Sequence, residues 1–135
     1  MRLVLVFCLS LWAVAAEARD RVALLIGNGA YDSVGALPNP PHDARDMAAR
    51  LDGMGFTVTL VLDADRAAMQ KAVARFGNNL AADPDVLGFF YYAGHAVQVE
   101  VVNVLIPTDA AITGQGELMA QGVPLPEVTQ VMKSA

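Results

Sequence analysis

The chain has 135 residues, 55% of them hydrophobic and 17% charged, and its 14 acidic against 9 basic side chains leave a net charge of -5. That length supports one domain, and the acidic balance offers no footprint for a nucleic-acid backbone, so no nucleic-acid partner is expected. A single cysteine, Cys8, closes no internal bridge and builds no thiolate cage, which excludes disulfide miniproteins and zinc ribbons.

Residues 1–18 read as a secretory signal. Arg2 is followed by an apolar run from Leu3 to Ala16, and Ala16, Glu17 and Ala18 form a small-x-small cleavage site. The run is shorter than the ~20 residues that span a bilayer as a helix, so cleavage after Ala18 is favoured over an uncleaved anchor. Cys8 lacks the small residues that precede a lipidated cysteine. Cleavage removes Arg2, Glu17 and Cys8, so the mature chain keeps its charge and holds no thiol. The expectation is a periplasmic or secreted domain of residues 19–135, with no membrane association once the signal is gone.

Val22 to Ile26 is a continuous apolar run stopping at Gly27, the mark of a strand buried on both faces of a parallel sheet. The stretch from Gly27 to Pro41, rich in glycine and proline, reads as a loop, and its last prolines suit the first turn of a helix. Ala44, Met47, Ala48, Leu51 and Met54 then recur at helical spacing. Phe56 to Leu62 reads as a second strand. Asp63 or Asp65 can cap a second helix, whose apolar stripe is Met69, Ala72, Val73, Phe76 and Leu80. Val86 to Ala93, the most apolar run after the signal, reads as a third and central strand, closed by Gly94 and His95. Strand and helix alternating in this way imply right-handed crossovers and a parallel sheet covered on both faces.

Val97 to Ile106 suits a short hairpin, although Glu100 to Asn103 lacks the Asn-Gly or Asp-Gly pair of a tight turn. Thr113 to Gly122 reads as a flexible stretch. Pro124 opens a last helix with Leu125, Val128, Val131 and Met132 inward.

Ligands of open α/β sheets bind beyond the carboxyl ends of the strands, which places Gly27 to Tyr31, Asp63 and Gly94 to Ala96 at the expected site. His95 is the one imidazole there, suited to general acid or base work, or else a structural histidine bonded to nearby backbone. Gly27, Asn28 and Gly29 invite a dinucleotide reading, but Asp32 occupies the third glycine position and no helix follows at once to hold phosphate. His42 and Asp46 are four apart, and Asp63 and Asp65 could add oxygens. Two ligands make no site, so no metal or cofactor is expected. Asp43 in a first helical turn is favoured by the helix dipole. Ser33 and Ser134 lack a nucleophile-elbow context, which argues against a serine hydrolase.

Taken together, RVALLIGNGAY, LPNPPHDARDMAARLDGMGFTVTLVLDADRAAM and FFYYAGHAVQVEVVNVLIPTDA resemble the large-subunit portion of bacterial caspase-like cysteine peptidases, relatives of the metacaspases, over residues 21–133. The resemblance implies a three-layer α/β sandwich with a mainly parallel sheet, incomplete at its C-terminal side. It also implies that His95 is the catalytic histidine, that the Ala96 N–H is an oxyanion donor, and that Asp43 lines a primary pocket for Arg or Lys. Peptides or proteins are the implied substrates, attacked by a thiolate while the imidazole manages the proton. Ala96 stands where the family usually has glycine, and a methyl there would cost about 1 kcal/mol if positive φ were required. The nucleophile lies about 50 residues past the histidine in caspases, and no cysteine follows His95 here. The chain therefore reads either as a truncated peptidase, unable to cleave by itself, or as an inactive caspase-like module binding a peptide or partner protein. In either case the strand from Val86 to Ala93 would expose an unpaired edge and favour self-association.

Overall fold

The computed structural model describes residues 19–134, so the expected signal at residues 1–18, with Cys8, lies outside the described residues. Three parallel strands form the main sheet: β1 (Arg21–Gly27), β2 (Thr57–Leu62) and β3 (Leu87–Ala93), in the order β2-β1-β3. The central strand is thus β1, and the expectation that β3 would be central is corrected. Among the described residues β3 forms an edge. The local reason is visible in burial: Leu24, Leu25 and Ile26 of β1 are fully enclosed, whereas Leu87 of β3 remains 51% exposed. Each enclosed side chain contributes about 1.5–3 kcal/mol of transfer free energy.

Alternation along β1 splits the core into two layers. Ala23 and Leu25 face helix α1 (Pro40–Gly53), where Ala48 and Leu51, together with Phe56 just ahead of β2 and Phe89 and Tyr91 of β3, enclose them. Leu24 and Ile26 face helix α2 (Arg66–Ala81), meeting the predicted stripe of Met69, Ala72, Val73, Phe76 and Leu80, with Phe90 and Tyr92 packed alongside. One helix covers each face, giving the three-layer α/β architecture expected. Proline occupies the first turn of α1, as its fixed φ favours. Asp65 rather than Asp63 caps α2, accepting from Ala68 N at 2.7 Å. Met54, expected inward, sits just past the end of α1 and is 59% exposed.

A small antiparallel sheet follows, built from β4 (Ala96–Val99), β5 (Val102–Leu105) and β6 (Val123–Pro124). The β4–β5 hairpin forms without an Asn-Gly pair because Glu100 itself takes φ +54. The stretch expected to be flexible contains helix α3 (Gln115–Gln121). Glu117 folds back to accept both the backbone N–H and the hydroxyl of Thr113, and these bonds hold its carboxyl below the usual carboxylate range. Gln121 bonds both backbone groups of Ala111, and Leu118 is buried beneath. The last helix, α4 (Leu125–Lys133), buries Val128 and packs Leu125 and Val131 onto the α2 layer, while Met132, expected inward, is exposed. No helix among the described residues is long and apolar enough to cross a membrane.

Candidate active site

The carboxyl ends of β1, β2 and β3 meet at one edge of the sheet, and the segments leaving them interlock there. The chain departs from β3 through Gly94, which takes φ +157. A methyl group on Gly94 would lie 2.5 Å from the Tyr31 hydroxyl and 2.6 Å from that of Tyr92, so glycine is the residue that fits.

Past that turn, the half-buried His95 sets its Nε2 2.6 Å from the carbonyl oxygen of Gly35, in the loop between β1 and α1. A carbonyl oxygen only accepts, so Nε2 carries the proton and the lone pair of the neutral ring resides on Nδ1. No hydrogen bond occupies Nδ1 among the described residues. The Tyr31 ring rests against the imidazole with centroids 4.7 Å apart and planes tilted by 58°. One ring nitrogen is anchored and the other is open, an arrangement able to accept a proton.

The backbone of His95 is held as firmly as its ring. Its N–H donates to Tyr31 Oη at 2.8 Å, and its carbonyl accepts from Tyr92 Oη at 2.8 Å and from Ile106 N at 3.0 Å. The Tyr92 hydroxyl also reaches the Ile106 carbonyl at 3.0 Å. Burial is the main cause raising the Tyr31 and Tyr92 hydroxyls above the ordinary phenol range, so both keep their protons.

Beneath this cluster Asn28 is fully buried. Its Oδ1 accepts from Ala64 N at 2.9 Å and its Nδ2 donates to the carbonyls of Ala64 and Ile106 at 3.2 and 3.3 Å, tying together the exits of β1, β2 and β5. Asp63, in the left-handed region at φ +49, accepts from Gly29 N at 2.8 Å and Ala30 N at 2.9 Å. Those two N–H groups are the ones a phosphate would have needed, so the Asn28 loop is a turn pinned by a carboxylate. The dinucleotide alternative loses its donors.

Ala96 begins β4 and is absent from the positive-φ residues, so its methyl group meets no backbone penalty; the unusual φ belongs to Gly94 instead. Ala96 faces Leu105 across the hairpin, next to the bond from Ile106 N to the His95 carbonyl. Alternation of the antiparallel ladder then turns the Ala96 N–H away from β5. Asp43 lies exposed in the first turn of α1, its own N–H bonded to the Asn39 carbonyl at 3.0 Å. The start of α1 packs on the end of β1, since a methyl on Gly27 would meet the Pro40 carbonyl at 2.6 Å, so Asp43 belongs to the same edge as His95. No bond joins Asp43 to His95.

Sequence reasoning put Asn28 and Tyr31 at this edge without assigning either its hydrogen bonds, and it missed Tyr92 and the Gly35 carbonyl. Period-2 alternation through Phe89 to Tyr92 could have placed Tyr92 on the α2 face with Phe90. A backbone carbonyl leaves no trace in residue type.

A sequence model described as a caspase domain matches residues 20–132. The chain is also 37% identical over 93 residues to the human (Homo sapiens) protein called mucosa-associated lymphoid tissue lymphoma translocation protein 1, a match covering 69% of this chain and 11% of that protein. The homolog from Mus musculus matches equally, 37% over 93 residues. The chain thus spans about a tenth of the length of the curated relatives it matches. The three-layer sheet and the family match agree: this chain belongs to the caspase-domain family of cysteine peptidases.

Proposed function

We propose that residues 19–134 form the base-bearing half of a caspase-family cysteine endopeptidase site, with His95 as the base. The observation that carries this reading is the bond from His95 Nε2 to the Gly35 carbonyl, which leaves Nδ1 as the basic nitrogen. The described residues contain no cysteine, so the nucleophilic sulfur comes from outside them. His95 Nδ1 takes the thiol proton as sulfur attacks a peptide carbonyl, then returns it to the departing amine. The Ala96 N–H stabilises the oxyanion. Asp43, exposed and anionic at the same edge, receives a basic side chain before the scissile bond.

Residues 1–18 direct the chain to the periplasm or the exterior, which N-terminal sequencing of the mature protein tests by finding Arg19 first. The edge of β3 supports self-association.

A second reading is favoured by the absence of a thiol among the described residues: a module that binds a peptide or partner without cleaving it. Assay of the native gene product on peptides carrying Arg, Lys or Leu before the cut separates the two. The peptidase cleaves after Arg and Lys, loses roughly 10²–10⁴-fold in rate in His95→Ala, and loses its basic preference in Asp43→Ala. Cleavage indifferent to His95 contradicts the assignment of the base, and binding without cleavage selects the second reading.

A further inference from the structure

Tyrosine 92 has one hydroxyl hydrogen, and it points to the carbonyls of His95 and Ile106. The 3.3 Å contact between the Tyr31 and Tyr92 hydroxyls is therefore donated by Tyr31. Tyr31 in turn accepts from His95 N–H. The bonds form a closed cycle that leaves His95 through its N–H, passes through both hydroxyls, and returns to its carbonyl.

We propose that Tyr31 and Tyr92 are positioning residues whose hydroxyl cycle through the His95 backbone fixes both the basic nitrogen of the ring and the direction of the Ala96 N–H. The His95 carbonyl and the Ala96 N–H belong to one planar trans peptide, so they point in opposite directions. Tyr92 and Ile106 N hold the carbonyl inward, which turns the Ala96 N–H outward. The other end of the cycle acts on the ring: Tyr31 lies against the imidazole and sits in the loop that delivers the Gly35 carbonyl to Nε2.

Packing alone does not account for this pair. Phenylalanine would fill the same space without two buried hydroxyls to satisfy, and without the two oxygen atoms that crowd position 94 most closely. Asp63 supports the device from below by clamping the two amides that lead into Tyr31.

The test uses the full ¹⁵N-labelled chain and its Tyr31→Phe, Tyr92→Phe and Tyr91→Phe variants. Tyr91 packs on the α1 face, outside the cycle, and serves as the control. Two quantities are read, the His95 ring tautomer from long-range ¹⁵N couplings and the exchange rate of the His95 amide. The expected result is a single Nε2–H tautomer in the parent and in Tyr91→Phe, and a shift toward the free-imidazole mixture in Tyr31→Phe and Tyr92→Phe. His95 amide exchange accelerates at least tenfold in Tyr31→Phe, while Leu24 and Ile26 amides in β1 are unchanged. If Tyr31→Phe fails to fold, Tyr92→Phe decides by the tautomer. Parent-like tautomers in both, or failure of both to fold, overturn the proposal. Its relevance to cleavage rests on the peptidase reading, but these readouts do not: lost cleavage with a parent-like tautomer overturns this inference alone, and a shifted tautomer in a protein that never cleaves overturns only the peptidase reading.

Discussion

The side chain of Asn28 receives the N–H of Ala64 at 2.9 Å, binding the end of β1 to the segment that follows β2. Both residues are buried, so this amide replaces the water that would otherwise solvate two strand exits.

Asn28→Ala strands the Ala64 N–H. The Ala64 carbonyl keeps Thr108 N and the Ile106 carbonyl keeps Tyr92, so one orphaned donor remains. The expected loss is about 1–3 kcal/mol, read as a lower urea midpoint at unchanged slope. An unchanged midpoint would mean that water enters the site.

Gly94→Ala is expected to cost about 2 kcal/mol or more, combining unfavourable backbone with overpacking. The added methyl would contact two hydroxyls, so Gly94→Ala combined with Tyr92→Phe should recover part of the loss. Equal losses in the single and double variants would show that the Tyr92 hydroxyl plays no part in confining position 94 to glycine.

Alkaline pH should weaken the fold through Tyr31 and Tyr92. Both hydroxyls are raised above the ordinary phenol value near 10, chiefly by burial. Below about pH 10 their contribution is complete; above it the unfolded chain releases protons that the native chain retains, so stability falls as pH rises. Denaturant titrations from about pH 9 to pH 11 should show a steeper loss in the parent than in Tyr92→Phe. Parallel losses would contradict the assigned burial.

The edge of β3 makes a residue-level prediction. Leu87 N donates to the Asp20 carbonyl and Asn28 N donates to the Ala93 carbonyl. In a parallel pair this directs Leu87, Phe89, Tyr91 and Ala93 toward β1, and turns the backbone of Gly88, Phe90 and Tyr92 to the open edge. In dilute solution the amides of Gly88, Phe90 and Tyr92 should exchange faster than those of Phe89 and Tyr91. Self-association through this edge would slow those three selectively as concentration rises. Concentration-independent exchange would contradict it.

Much of this fold was legible because its signals are local and repeated. The enclosed run of β1 and the apolar stripe of α2 are patterns that burial dictates, and Gly94 followed by His95 marked the end of a strand. The position of β1 between its neighbours was not legible, since apolar content ranked β3 higher and strand order depends on pairing across the chain. Helix α3 escaped because its stability comes from Glu117 and Gln121 reaching back along the chain rather than from helical periodicity. At the site, the place of His95 just past the end of β3 could be read, but the Gly35 carbonyl that determines its tautomer comes from a loop 60 residues away.

The most direct test of the catalytic assignment is the protonation of the His95 ring in the unmodified chain, under conditions where the imidazole is neutral. Nitrogen-15 shifts should identify Nε2 as the protonated nitrogen and Nδ1 as the lone-pair nitrogen. A proton found on Nδ1 would contradict the account, because the lone pair would then face the Gly35 carbonyl and the ring could not take a proton from an attacking thiol.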